Sequence, residues 1–204
     1  MIYLVGGAPC VGKSVIARQL MKERGIPWLS TDALRSVFFA MAPKESRDKL
    51  FPYAGASDHD TVFAEPLDVI IKQQITEARS MKVGIHALME FQIAVHEDLI
   101  LEGVHILPEH VREFSEKHPD MKEHIHVLFV VDLDIDNAIQ GLMANNSHFD
   151  WLQGAGQKTK RAVAEFSVKF SEYIKDEAEK NNFNVYEKTD TFTEDVKSCI
   201  TLLG

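Results

Sequence analysis

Short apolar runs alternate with stretches of helical periodicity from one end of the chain to the other. The run at residues 2–6 (IYLVG) predicts a first strand. Ile16, Ala17, Leu20 and Met21 then recur at three- and four-residue spacing, the mark of an amphipathic helix, and Gly25 closes it. Residues 27–32 (PWLSTD) read as a second strand and 33–41 as a second helix. Residues 42–62 are polar and interrupted by Pro43, Pro52 and Gly55, which predicts a loop containing a short helix. Leu67, Ile70, Ile71, Ile75 and Ala78 give another helical stripe. Residues 99–107 (LILEGVHIL) predict a third strand, too apolar for a solvated edge, and Pro108 opens the next helix. A fourth strand falls at 125–132, a helix around 134–144 and an excursion at 145–160. Val163, Phe166, Phe170, Ile174 and Ala178 mark a long amphipathic helix. A fifth strand at 183–187 and a final helix complete the pattern. Five strands separated by helices predict an α/β fold with a parallel sheet covered on both faces.

The junction between the first strand and first helix carries candidate chemistry. Residues 6–14 read GGAPCVGKS and contain Gly7-x-x-x-x-Gly12-Lys13-Ser14. Glycines at this spacing let the backbone curl so that successive N–H groups converge on an anion at a helix N-terminus. Lys13 supplies a positive charge that can follow the β- and γ-phosphates of a nucleotide, and Ser14 a hydroxyl for Mg²⁺. Gly7, Ala8, Pro9, Cys10, Val11, Gly12, Lys13 and Ser14 are therefore the candidate nucleotide-binding residues. Cys10 reads as a small filler within the loop.

In an open parallel sheet, ligands bind beyond the carboxyl ends of the strands. Strand two ends at Ser30, Thr31 and Asp32. Any of these could cap the following helix, but Asp32 would also face the phosphate cleft, where a carboxylate can take the proton of an attacking hydroxyl. Arg35 follows by one helical turn, and its planar fork suits a carboxylate or phosphate on an acceptor. Glu102 lies in the apolar third strand, where an unpaired carboxylate is costly. A Mg²⁺ beside the phosphate loop is the natural compensation, with Asp132 at the end of strand four as the rival. His105 reads either as a substrate contact or as a hydrogen-bonded core histidine. Lys158, Lys160 and Arg161, beside Gly154 and Gly156, read either as a cationic lid or as a basic turn at a helix start.

The net charge of -9 argues against general nucleic-acid affinity. Two cysteines without metal-ligand spacing predict a reducing, cytoplasmic setting with no disulfide framework. No basic leader followed by an apolar stretch opens the chain, and no apolar run approaches the roughly 20 residues of a membrane span. No nucleic-acid or membrane partner is therefore expected.

GGAPCVGKS, STDALRSVF and LEGVHILP together resemble the P-loop small-molecule kinases, the group that includes nucleotide, shikimate and gluconate kinases. Within it they resemble the archaeal-type 2-phosphoglycerate kinase family, whose characteristic Ile-Glu-Gly-Val-His-Leu-Val-Pro run is close to LEGVHILP. The Ser-Thr-Asp-x-x-Arg segment is also similar to that of polynucleotide kinases. The resemblance implies a P-loop NTPase three-layer sandwich over residues 1–204, strand order 2-3-1-4-5, an acceptor-binding region at about 33–66 and a lid at about 145–161. That order favours Glu102 over Asp132 as the metal-side acid. It also implies ATP and Mg²⁺, with phosphate passed to the hydroxyl of a small acidic acceptor. Lys13, Asp32 and Arg35 would then be catalytic, Arg35, Arg47 and His105 would contact substrate, Ser14 and Glu102 would hold the metal, and Arg161 would reach the nucleotide.

The chain departs from that family at the lid, which usually carries several arginines around a His-x-x-Arg-Phe segment. Here NNSHFDWLQG has His148 and Phe149 but no arginine before Arg161. A nucleoside or nucleotide kinase, and a toxin-like or regulatory nucleotide-binding module, stand as alternatives. A phosphorylated acid calls for Lys44, Arg47 and Arg35 to converge. A nucleoside calls for an aromatic slot from Phe38, Phe39 or Tyr53.

Overall fold

Five parallel strands, ordered β2-β3-β1-β4-β5, form the sheet of the computed structural model, which describes residues 1–52, 59–144, 152, 154–189 and 191–204. The strands are β1 (Ile2–Gly7), β2 (Trp28–Ser30), β3 (Leu99–Glu102), β4 (Ile125–Val131) and β5 (Asn184–Glu187). The order is the one the resemblance implies. The helices are α1 (Lys13–Arg24), α2 (Thr31–Met41), α3 (Lys44–Leu50), α4 (His59–Val62), α5 (Leu67–Ala94), α6 (Pro108–Lys117), α7 (Ile135–Ala144), α8 (Gln157–Lys180) and α9 (Phe192–Leu202). A 3-10 helix, Pro119–His124, leads into β4.

β1 is central, and every one of its residues is buried. Ile2, Leu4 and Val5 join Ile100 and Leu101 of β3 and Leu128 and Phe129 of β4 in the core. Ile16, Ala17 and Leu20 of α1 pack into the same cluster, as the periodicity predicts. On α8, Phe166, Phe170, Ile174 and Ala178 do likewise.

Three boundaries differ from the sequence expectation. β3 stops at Glu102 instead of continuing to residue 107. Gly103 takes φ +149°, its N–H bonds to the Val5 carbonyl, and the chain then leaves the sheet. Ile106 and Leu107 are still buried, so apolarity continues past the end of the strand. β2 ends at Ser30, whose side chain accepts from the Asp32 N–H and so starts α2 two residues early. The excursion expected over 145–160 ends sooner, because α8 begins at Gln157. Of the proposed lid, residues 145–151 and 153 lie outside the described residues.

Candidate active site

The sheet register brings the candidate residues together. Ser30 of β2 stands beside Glu102 of β3, and Glu102 stands beside Val5 of β1. Gly7 then pairs with Val130 of β4. The carboxyl ends of β2, β3 and β1 therefore form one rim, and the Gly7–Ser14 loop rises from it into α1. Gly7 has φ +136°, and a Cβ there would lie 2.0 Å from the Val130 carbonyl oxygen, so only glycine lets the loop leave β1 against β4. Cys10 and Gly12 also take positive φ, 65° and 95°. Gly12 caps α1, its carbonyl accepting from the Val15 and Ile16 N–H groups, and the N–H groups before them stand at a helix N-terminus, where an anion can bind. Ser167 of α8 donates to the Pro9 carbonyl at 2.6 Å and braces the loop from behind.

Lys13 is buried, with its ammonium donating to the Ala8 carbonyl across the base of the loop. Burial lowers its pKa, while Glu102, Cys10 and Asp32 oppose that shift. Ser14 Oγ donates to Glu102 Oε1 at 3.2 Å. Burial raises the Glu102 pKa, Lys13 counters that rise and Asp32 adds to it. Lys13, Ser14, Glu102 and Asp32 thus share one electrostatic field. Asp32 lies in the first turn of α2, its side chain 66% exposed, with Oδ1 3.9 Å from His105 Nδ1.

No protein-family model matches the chain. The chain is 26% identical over 198 residues to a 2-phosphoglycerate kinase of Methanothermobacter thermautotrophicus, covering 95% of this chain and 62% of that protein. It is 30% identical over 113 residues to the mevalonate-3-phosphate 5-kinase of Thermoplasma acidophilum, covering 55% of this chain and 54% of that protein. The chain therefore spans less than two-thirds of either relative. A gluconokinase structure from Sinorhizobium meliloti 1021 superposes with a TM-score of 0.56 at 12% identity, covering 98% of this chain and 90% of that one. This chain has the P-loop kinase fold.

Within that P-loop kinase fold, Ser14 and Glu102 fit a magnesium ion by the chemistry of their donors, a hydroxyl and a carboxylate already in contact. Among the described residues, no group of three or more His, Cys, Asp or Glu could hold a metal alone. That suits Mg²⁺, which is usually held by one or two carboxylates plus phosphate oxygens and water. Asp132 is committed elsewhere. Its Oδ2 accepts from Lys188 Nζ at 2.9 Å, both side chains nearly buried, and its Oδ1 accepts from the Asp134 N–H.

Two of the sequence-predicted contacts are placed differently. His105 is fully buried. Its Nδ1 lies 2.9 Å from Thr31 Oγ1 and its Nε2 3.1 Å from Glu77 Oε1, so it is a hydrogen-bonded core histidine with no face open to substrate. Arg47 donates to the carbonyls of Ala40 and Ala42 and stacks 4.9 Å from the Phe39 ring centroid. Its fork closes the C-terminal end of α2 instead of pointing to a ligand. Arg161 lies on an exposed turn of α8 and pairs with Glu165 at 3.0 Å. Arg35 does point inward, where its Nη1 lies 3.4 Å from Glu77 Oε1.

Glu77 and Ser167 were not among the predicted residues. Each carries a sequence signal: a polar side chain at a position where the helix stripe calls for an apolar one. Glu77 sits among Ile70, Gln74, Ala78, Met81 and Ile85 of α5, and Ser167 among Val163, Phe166 and Phe170 of α8.

Proposed function

We propose that this chain is an ATP- and Mg²⁺-dependent phosphotransferase that moves the γ-phosphate of ATP to the hydroxyl of a small anionic metabolite. The observation that carries the reading is the convergence of Lys13, Ser14, Glu102 and Asp32 at the ends of three adjacent strands. A pure nucleotide switch has no need of Asp32 there.

The loop amides and Lys13 bind the β- and γ-phosphates, and Lys13 follows the charge that develops during transfer. Ser14 and Glu102 are the residues that would hold Mg²⁺, which would supply positive charge to offset that of the phosphates. The acceptor hydroxyl oxygen forms a bond to the γ-phosphorus, the bond to the bridging β–γ oxygen breaks, and ADP departs. The hydroxyl proton passes to the Asp32 carboxylate, which its exposure leaves open to the cleft. Arg35 supplies the fork for an anionic group on the acceptor.

The relatives' names frame the candidates: 2-phosphoglycerate and mevalonate 3-phosphate are both hydroxylated phosphates. The aromatic side chains weigh against a nucleoside. The Phe38 ring fills the space over Gly84, and Phe39 packs edge-on against Phe51, 6.2 Å between centroids, beneath Arg47. Tyr53 lies outside the described residues.

The test is ADP release with Mg-ATP across 2-phosphoglycerate, mevalonate 3-phosphate, glycerate, gluconate and a set of nucleosides. The expected result is turnover with a phosphorylated acid and a loss of about 10²- to 10⁴-fold in Asp32→Asn with ATP binding retained. Release that no acceptor stimulates, unchanged in Asp32→Asn, would overturn the reading.

A further inference from the structure

Glu77 is a carboxylate on the buried stripe of α5, its side chain 1% exposed. An ionised group taken out of water is costly unless partners replace its hydration. Two partners do so, and both use the same oxygen: His105 Nε2 at 3.1 Å and Arg35 Nη1 at 3.4 Å. The second oxygen, Oε2, has no hydrogen-bond partner, nor have Arg35 Nε and Gln74 Nε2 close by on α2 and α5. Arg35 is thus anchored at one corner of its guanidinium and keeps its remaining donors, with its side chain still 31% exposed.

The chain of contacts continues beyond His105. A carboxylate only accepts, so the Glu77 contact places a proton on Nε2; in the neutral ring Nδ1 is then the acceptor that faces the Thr31 hydroxyl at 2.9 Å. Thr31 is the first residue of α2 and is fully buried; Asp32 is the next. The same helices meet again where the Phe38 ring lies against Gly84, close enough that a Cβ there would sit 2.2 Å from the ring. α2 is therefore seated on α5 at two places, and Glu77 is the polar one.

We propose that Glu77 is a positioning residue of the phosphoryl-transfer site. It holds the Arg35 fork toward the acceptor's anionic group and, through His105 and Thr31, sets the start of the helix that presents Asp32. This rests on the phosphotransfer reading above. A merely structural carboxylate would cement α5 to the sheet and affect every ligand alike, whereas a positioning one acts on the acceptor side alone.

Two measurements decide between these. In steady-state kinetics with the acceptor identified by the panel above, Glu77→Gln lowers acceptor kcat/KM by about tenfold or more. Its Mg-ATP affinity by calorimetry stays within about twofold, and Glu77→Asp, which keeps the charge, recovers part of the loss. Arg35→Ala with Glu77→Gln loses little more than Arg35→Ala alone, because the two act as one unit. In ¹⁵N-histidine NMR of the whole chain, His105 shows the Nε2–H tautomer and Glu77→Gln shifts its ring nitrogens. Equal losses for nucleotide and acceptor, independent effects of Arg35 and Glu77, or an Nδ1–H tautomer in the wild type would each overturn the proposal. If the wild type phosphorylates nothing, the phosphotransfer reading fails first, and the NMR result still decides whether Glu77 governs His105.

Discussion

Ser14 and Glu102, 88 residues apart in the chain, meet at 3.2 Å where the Gly7–Ser14 loop crosses the end of β3. The contact exists because β3 is the parallel neighbour of β1, with Val5 level with Glu102, and the loop turns back over that rung. It unites the hydroxyl at the start of α1 with a carboxylate whose pKa burial raises.

Glu102 and Asp132 should separate cleanly. Glu102→Gln is expected to raise the Mg²⁺ concentration for half-maximal activity by about tenfold or more. Asp132→Asn should leave it unchanged, but lower stability by about 3 kcal/mol by stranding the buried Lys188 ammonium. A Mg²⁺ titration of activity and a urea melt of each variant check the pair. A shifted Mg²⁺ requirement in Asp132→Asn would reverse the assignment.

Gly103 has no room for a side chain. A Cβ there would lie 1.8 Å from Thr31 Oγ1, and φ +149° is unfavourable for any other residue. Gly103→Ala should destabilise the fold by about 2–4 kcal/mol, combining backbone strain with overpacking. A midpoint within error of wild type in urea would show that the β3 exit is less constrained than its geometry indicates.

His110 supplies a pH dependence. It is buried, neither ring nitrogen has a hydrogen-bond partner, and burial pushes its pKa down to about 4 from 6.5. The unfolded chain therefore binds a proton between about pH 6.5 and 4 that the folded chain refuses. The contribution is fully present above pH 6.5 and is lost as pH falls toward 4, about 2 kcal/mol between pH 7 and 5. Urea melts at both pH values should show a drop about 2 kcal/mol smaller in His110→Gln than in wild type; equal drops would refute it.

Much of the fold was legible in the chain. The apolar runs at 2–6 and 125–132 became β1 and β4 almost unchanged, and Pro108 opens α6 as its missing N–H allows. Such features depend on neighbours within a few residues. β3 was read too long because Ile106 and Leu107 are as buried as strand residues while lying outside the ladder, and apolarity reports burial rather than hydrogen bonding. His105 and Arg47 were legible as polar candidates, but their partners were not. Polar side chains take whichever partners the packing brings, here Glu77 and Thr31 for His105 and the carbonyls of Ala40 and Ala42 for Arg47.

The sequence by itself determined the Gly7–Ser14 loop, because its spacing is written into consecutive residues whose glycines and N–H groups act locally. It also determined the alternation of strand and helix and the presence of acids at strand ends. Tertiary structure alone decided that Glu102 faces Ser14 while Asp132 faces Lys188. It also decided that a glutamate on α5 ties Arg35 to His105. Pairings across tens of residues depend on which strands lie side by side and which helix faces meet. Those are properties of the packed chain, in which burial makes each charge find its nearest opposite.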